Sequence, residues 1–314
     1  MHLVVSHAAC SAGRHALDTL SLPHLERLLA RMSAVADVEP GDAALNLPHE
    51  HLLAQARGWP DRDGLLPFGA HFAREDGIDV SDESLGWGLV TPCHWQLGRD
   101  EISLLDPAVL ALDEHESRAL CQAVGSLFDS DGWSLAWGAP RRWYASHPSL
   151  KSLPTASLDR VVGQAIDDWL PDRRQAAHLR RLQAEVQMLL YTHPINDGRE
   201  CRGELPVNSF WISGTGPTAV AAPLPDGMVF DDCLRGPALA QDWAAWTQAW
   251  HDLDAGPIAA LGADATGAGR SSLSLCGSTR AWRFDSTPRS TWQRLTQRWS
   301  RVDVLPLLQS LCAP

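Results

Sequence analysis

Apolar and polar positions alternate along this chain in stretches that read as separate elements. "HLVV", residues 2–5, is a short apolar run followed by small and polar residues, which predicts a buried strand feeding a turn. In "SLPHLERLLARM", residues 21–32, Leu22, Leu25, Leu28, Leu29 and Met32 recur at helical spacing behind Ser21 as a candidate cap. Strand, loop, helix is the opening of an α/β domain. Residues 37–84 are rich in Gly, Pro and Asp and read as loop with short helices, one of them around "HEHLLAQARG".

From residue 85 the pattern sharpens. "LGWGLVTPCHWQLG" predicts strands and tight turns, and "WSLAWGAPRRWY" alternates like a strand. Between them, "LDEHESRALCQAVGSLF" predicts a helix capped by Asp113, with Glu116 three residues on and Leu120, Val124 and Leu127 sharing one face. Residues 172–192 give the clearest helix, with Leu179, Leu182, Val186, Leu189 and Leu190 in one stripe, ended by His193-Pro194. A polar bend follows, then a strand opened by Asn208 and a glycine-rich turn. Beyond a Pro/Gly-rich stretch come a Trp- and Ala-rich helix near "LAQDWAAWTQAWHDL", strands "SLSLCG" and "RAWRF", and a last helix from about residue 290.

Composition narrows the function classes. A chain of 314 residues with 45% hydrophobic content can bury a large core, as one big domain or two joined ones. A net charge of -12 disfavours a broad nucleic-acid surface but leaves room for a local basic pocket. Among the basic residues only Lys151 is a lysine; the arginines suit two-pronged contacts to carboxylate or phosphate, although codon bias explains them as well. Seven scattered cysteines without a C-x-x-C pair point to reduced thiols. No stretch approaches a bilayer span and the N-terminus lacks a signal-peptide pattern. The expectation is a cytoplasmic protein without a membrane or nucleic-acid partner.

Several tempting chemical motifs are weak. His49 and His51 stand two apart on a predicted helix and point in different directions, so they do not share an ion easily. Cys93 and His94 face opposite sides of a strand. "HDLD" at 251–254 fits capping and solvation, and the glycines of "SGTGP" lack the helix a phosphate cradle needs. The bend is stronger: His193, Asn196 and Arg199 fall together, with Asn208 beyond. They either tie the connection rigidly or present Arg199 to an anion.

"HPINDGRECRGELPVNSFWISGTG", residues 193–216, resembles the archaeal-type cofactor-independent phosphoglycerate mutases of the alkaline-phosphatase-like superfamily. The likeness extends back through "WGLVTPCHWQLGRDEISLLDP", "LDEHESRALCQAV", "WGAPRRWY" and "PTASLD", and "SLPHLERLLARM" is similar to an early helix of the superfamily. General likeness over the chain also resembles the RpfE-type regulatory proteins of proteobacteria. The resemblance implies a truncated alkaline-phosphatase-like α/β core, its central mostly parallel sheet flanked by helices, with an inserted α+β subdomain. The expected boundaries are 1–85 and 206–314 for the core and 86–205 for the insert. It also implies ligand-binding roles for Arg142, His193, Asn196, Arg199 and Asn208.

The resemblance does not bring the metal centre. Two-metal phosphoryl transfer needs an Asp after the first strand and later Asp and His ligands. Here "LVVSHAAC" places Ser6 and His7 where Asp-Gly would stand, the sequence contains no Asp-His dipeptide, and "LSLCGSTRAW" fills the late-strand ligand position. The expectation is therefore a degenerate mutase relative, with no cofactor and no metal ligands assigned. It would act in regulation by binding a small phosphorylated or carboxylated metabolite, or a regulatory protein partner. Two alternatives stand beside it: an active mutase or phosphatase with a site rebuilt from Ser6, His7 and His15, and a protein-interaction module built on the tryptophans.

Overall fold

The computed structural model describes residues 1–172, 174, 176–264, 271–286 and 302–313. The chain folds as two units, one formed by residues 1–56 and 223–314, the other by residues 57–222. In chain order, β1 (His2–Ala9) and β2 (Met32–Val38) belong to the first unit. The second unit holds β3 (Gly86–Cys93), β4 (Trp95–Leu97), β5 (Ile102–Leu104), β6 (Ser134–Ala139), β7 (Arg142–His147) and β8 (Ser209–Pro217). The chain then returns to the first unit for β9 (Met228–Asp231), β10 (Ser272–Gly277) and β11 (Ala281–Ser286).

The first unit is α/β. Its sheet has the order β2-β11-β10-β1-β9 and is mixed: β1 runs parallel to β9 and β10, while β11 is antiparallel to both β10 and β2. The strand period of two explains how both faces are covered. Leu3, Val5, Leu273 and Leu275 point into a core with the helices Pro23–Leu29, Trp243–Leu253 and Leu305–Ser310. Val4 and Cys276 point the other way, with Leu52 of the helix Pro48–Ala56 packed against them. Trp246 and Trp250 fill the larger core, and β1 is buried beyond its first residue. Gly277 permits a close approach, since a Cβ there would lie 2.2 Å from the Leu311 carbonyl.

The second unit is α+β. Its sheet has the order β6-β7-β3-β8 and is antiparallel throughout, and β4 and β5 form a separate hairpin. The helices Glu114–Ser130 and Ala177–Tyr191 lay Leu120, Val124, Phe128, Leu179, Leu182 and Val186 against one face. On the opposite side the helix Phe68–Glu75 packs Ala70 and Ala73 with Trp87 and Tyr144. Gly69 and Gly88 let helix and sheet meet backbone to backbone: a Cβ on Gly69 would stand 2.7 Å from the Gly88 Cα.

These pairings move the expected boundaries. The division falls at 56/57 and 222/223, not at 85/86 and 205/206, because β8 pairs with β3 along its length and the helix Phe68–Glu75 packs in the same unit. Local readings also change. The expected single strand at 133–144 is a hairpin, with β6 and β7 joined at Pro140 and Arg141. Met32 opens β2 instead of closing a helix, and the glycine-rich turn at 213–217 lies inside β8. The polar bend is itself a helix, Pro194–Cys201, with proline in its first turn, where no N–H is needed. The expected helix from about 290 begins outside the described residues; among those described beyond 290 a helix spans Leu305–Ser310.

Capping shows how tertiary contacts replace local ones. Asp113 accepts from the Glu116 N–H at 2.7 Å, as its spacing predicts. At Pro23–Leu29 the residue before the helix is Leu22, not Ser21, and no side chain there caps it. Buried Asp254 takes over, accepting from the Leu25 N–H at 2.7 Å and the His24 N–H at 3.1 Å. The "HDLD" segment thus does cap, but it caps a distant helix from a buried position.

Candidate functional site

In the second unit, the bend residues come together as a brace. His193 caps the helix Pro194–Cys201, its Nδ1 accepting from the Ile195 N–H at 3.2 Å. The Asn196 amide spans two segments: its Nδ2 donates to the Leu190 and Val207 carbonyls at 2.8 and 2.7 Å, and its Oδ1 accepts from the Val207 N–H at 2.9 Å. Asn208 acts as a backbone surrogate for Trp95, accepting from its N–H at 2.7 Å and donating to its carbonyl at 2.9 Å. Both asparagines use amide oxygen and nitrogen together, completing backbone hydrogen bonds on segments that the fold brings beside them.

Arg199 is 1% exposed, and its guanidinium is engaged inside the unit. Its Nε donates to the Leu205 carbonyl at 2.9 Å, Nη2 donates to the Leu110 carbonyl, and Nη1 pairs with Glu116. Glu116 is the residue three past the helix cap; its carboxylate turns to Arg199 and Arg202. Arg202 also pairs with Glu204, which holds the Glu204 carboxyl below its usual range and the arginine above its own. Beside these residues lies an open cleft of about 370 Å³ whose lining includes Asp113, His115, Glu116, Arg202 and Glu204. Three carboxylates against one arginine make it a poor seat for an anion.

Arg142 is placed elsewhere, on β7. Its fork grips Asp76, Nη2 to Oδ1 at 2.6 Å and Nε to Oδ2 at 2.8 Å, and the Tyr144 hydroxyl donates to the same carboxylate. The arginine bonds lower the Asp76 pKa, while burial raises that of Tyr144. The five residues expected to bind a ligand therefore do not converge. Four brace the 190–208 connection, and Arg142 ties β7 to the end of the helix Phe68–Glu75. Cys93 and His94 also separate: the thiol is buried, which pushes its pKa up, and His94 Nδ1 meets the Pro206 carbonyl at 2.8 Å.

The first unit carries a different constellation at the carboxyl end of β1. Pairing with β10 runs from His2↔Ser272 to Val5↔Leu275, then shifts and resumes at Ala9↔Gly277. Ser6, His7 and Ala8 thus bulge out opposite a single residue, Cys276. Pairing with β9 ends at Val5↔Asp231, so the bulge begins where that neighbour stops. His7 has φ +52, the left-handed region favoured by glycine, which costs a side-chain-bearing residue roughly 1–2 kcal/mol. The Trp246 indole donates to the His7 carbonyl at 3.1 Å, and the Ser6 hydroxyl donates to the Asp231 carbonyl at 3.3 Å. The His7 ring faces that of His49, centroids 5.2 Å apart. Sequence reasoning weighed His49 with His51, and His7 with Ser6 and His15, but did not pair His7 with His49, since no local spacing links a strand end to a helix far along the chain. His15 lies against Trp243, ring centroids 6.0 Å apart.

This donor set does not fit a pair of hard cations. The resemblance requires carboxylates at the end of β1, where a hydroxyl and an imidazole stand. Within the first unit, Asp231 accepts from the Cys233 N–H at 3.0 Å and Asp254 caps a helix. Hard divalent ions take oxygen ligands, which imidazole does not replace.

No protein-family model matches the chain, and no curated protein matches it. Two solved structures are similar in outline. A cofactor-independent phosphoglycerate mutase from Thermoplasma acidophilum DSM 1728 is 14% identical, covering 100% of this chain and 99% of its own, with a TM-score of 0.38. The PH0037 protein from Pyrococcus horikoshii is 13% identical, covering 99% and 96%, with a TM-score of 0.47. At these identities and scores neither likeness carries an argument about a site or an activity. The α/β assignment rests on the strand connectivity.

Proposed function

We propose that the protein is a degenerate relative of cofactor-independent phosphoglycerate mutases that has lost two-metal phosphoryl transfer and acts in regulation by binding. The observation that carries this reading is the bulge at the end of β1, which holds Ser6 and His7 where the resemblance calls for a carboxylate. The pairing of Arg199 with Glu116 and of Arg142 with Asp76 adds support for the loss of turnover, because neither guanidinium is poised for a reacting phosphate. The ligand proposed is a small phosphorylated or carboxylated metabolite, with a regulatory protein partner as the other outcome. Cytoplasmic residence belongs to the same proposal; among the described residues no helix is long and apolar enough to cross a membrane.

The test is turnover of 2- and 3-phosphoglycerate, and of a generic phosphomonoester, with Mg²⁺, Mn²⁺, Co²⁺ and Zn²⁺ each supplied. No rate above the protein-free control is expected. Metal-dependent turnover by the purified full chain overturns the reading and restores the active mutase or phosphatase. Thermal-shift screening against phosphorylated and carboxylated metabolites then separates a small ligand, which raises Tm, from a protein partner.

A further inference from the structure

The bulge in β1 combines features that a structural connection does not require. Three residues are extruded where one would pair, and the extrusion sits at the carboxyl end of parallel strands, where open α/β sheets place their ligands. Bulges of this kind re-aim a side chain, and the left-handed position within them ordinarily falls to glycine. Here it is held by His7 at φ +52, buried, with its carbonyl tied down by the Trp246 indole. The side chain so aimed meets a second imidazole: a ring nitrogen of His7 lies within 4.8 Å of one of His49. The two rings are tilted by 49°, neither stacked nor edge-on.

We infer that His7 and His49 form a two-imidazole seat for a single borderline transition-metal ion, Zn²⁺, Ni²⁺, Co²⁺ or Cu²⁺. Imidazole suits these ions and not Mg²⁺ or Ca²⁺. Metal–nitrogen bonds of about 2.0–2.1 Å place two tetrahedral ligands about 3.4 Å apart, within reach of small side-chain rotations from the observed separation. Each histidine would use one nitrogen, and the ion's other positions are left to water or to a further ligand. His7 is held by a strand of the sheet and His49 by the helix Pro48–Ala56 packed against it, so the backbone positions of both are set before an ion arrives. The strained backbone has a physical reason on this view: strain persists where the surroundings over-determine a conformation that serves a site. The seat differs from the hard two-ion centre of phosphoryl transfer in ligand type and in ion. The inference stands independently of the regulatory reading, because an ion here need not support turnover.

The experiment is equilibrium dialysis and calorimetric titration of the full chain, stripped of metal, with Zn²⁺, Ni²⁺ and Mg²⁺ separately. Zn²⁺ and Ni²⁺ are expected to saturate one site per chain and to raise Tm, with Mg²⁺ silent. His49→Gln and His7→Asn, the latter keeping a residue that tolerates a left-handed backbone, are each expected to weaken Zn²⁺ binding at least tenfold and to abolish the Tm gain. His51→Gln, on the same helix but pointing elsewhere, is expected to leave binding unchanged. Absence of saturable Zn²⁺ and Ni²⁺ uptake by the native chain overturns the inference, and needs no variant to fold. Retention of full affinity by a folded His49→Gln chain overturns it equally.

Discussion

The 190–208 connection and the end of β1 are both polar interruptions in otherwise apolar structure, and they are built on opposite principles. In the connection, the side chains complete hydrogen bonds that the backbone leaves open: Asn196 joins Leu190 to Val207, Asn208 continues the pairing of Trp95, and Arg199 gathers the Leu110 and Leu205 carbonyls. At β1 the backbone leaves the ladder to aim a side chain, and His7 takes a conformation that disfavours it. The first arrangement lowers the free energy of the fold and the second raises it. Motif residues that look functional can thus be scaffold, while a site can sit in a stretch with no recognisable motif.

The comparison breaks most easily at Arg199. Arg199→Ala removes the buried partner of Glu116 and the donors to the Leu110 and Leu205 carbonyls, so urea unfolding should show a loss of about 3–5 kcal/mol. A loss below about 1 kcal/mol, the range of a surface substitution, would remove the connection's status as a brace. Asn196→Ala leaves one N–H and two carbonyls of the second unit without a side-chain partner and should lose about 2–3 kcal/mol by the same measurement. Restoration by Asn196→Asp is not expected, because a carboxylate cannot donate to the Leu190 and Val207 carbonyls.

Asp76 sharpens the comparison with a smaller effect. Asp76→Asn weakens the two-pronged bond to Arg142, a pair that is partly exposed, and should cost about 1 kcal/mol after solvent screening. Its native pKa lies below the ordinary value, chiefly through the Arg142 hydrogen bond. The stabilisation is therefore present above the ordinary carboxylate range and lost as pH falls through the native value. The native chain should lose Tm in that acidic window, and Asp76→Asn should lose less.

A further effect concerns β1 at its other end. His2 is held neutral, its pKa lowered to about 4 mainly by burial and then by Arg283, with Asp285 opposing. The unfolded chain takes up this proton near the ordinary histidine value, so stability is full above about pH 6.5 and falls toward about pH 4. A thermal scan across that window should slope upward with pH, and His2→Gln should flatten the slope while preserving the hydrogen-bonding reach to Ser274, now 2.9 Å from the His2 Nε2. An unchanged slope would move the titration to another group.

The sequence by itself determined the elements whose signal is local. Apolar runs set β1, β10 and β11, helical stripes set Glu114–Ser130, Ala177–Tyr191 and Trp243–Leu253, and the Asp113 cap stands where its spacing puts it. Period and capping act within a few residues, so they can be read along the chain. Tertiary structure alone decided the pairing of β8 with β3, which sets the unit boundary, the use of Asp254 to cap Pro23–Leu29, and the commitment of Arg199 to Glu116. It also decided the meeting of His7 with His49. The reason is physical: a charge or a ring is satisfied by whatever packing brings beside it, and packing joins residues whose separation in the chain carries no periodic trace.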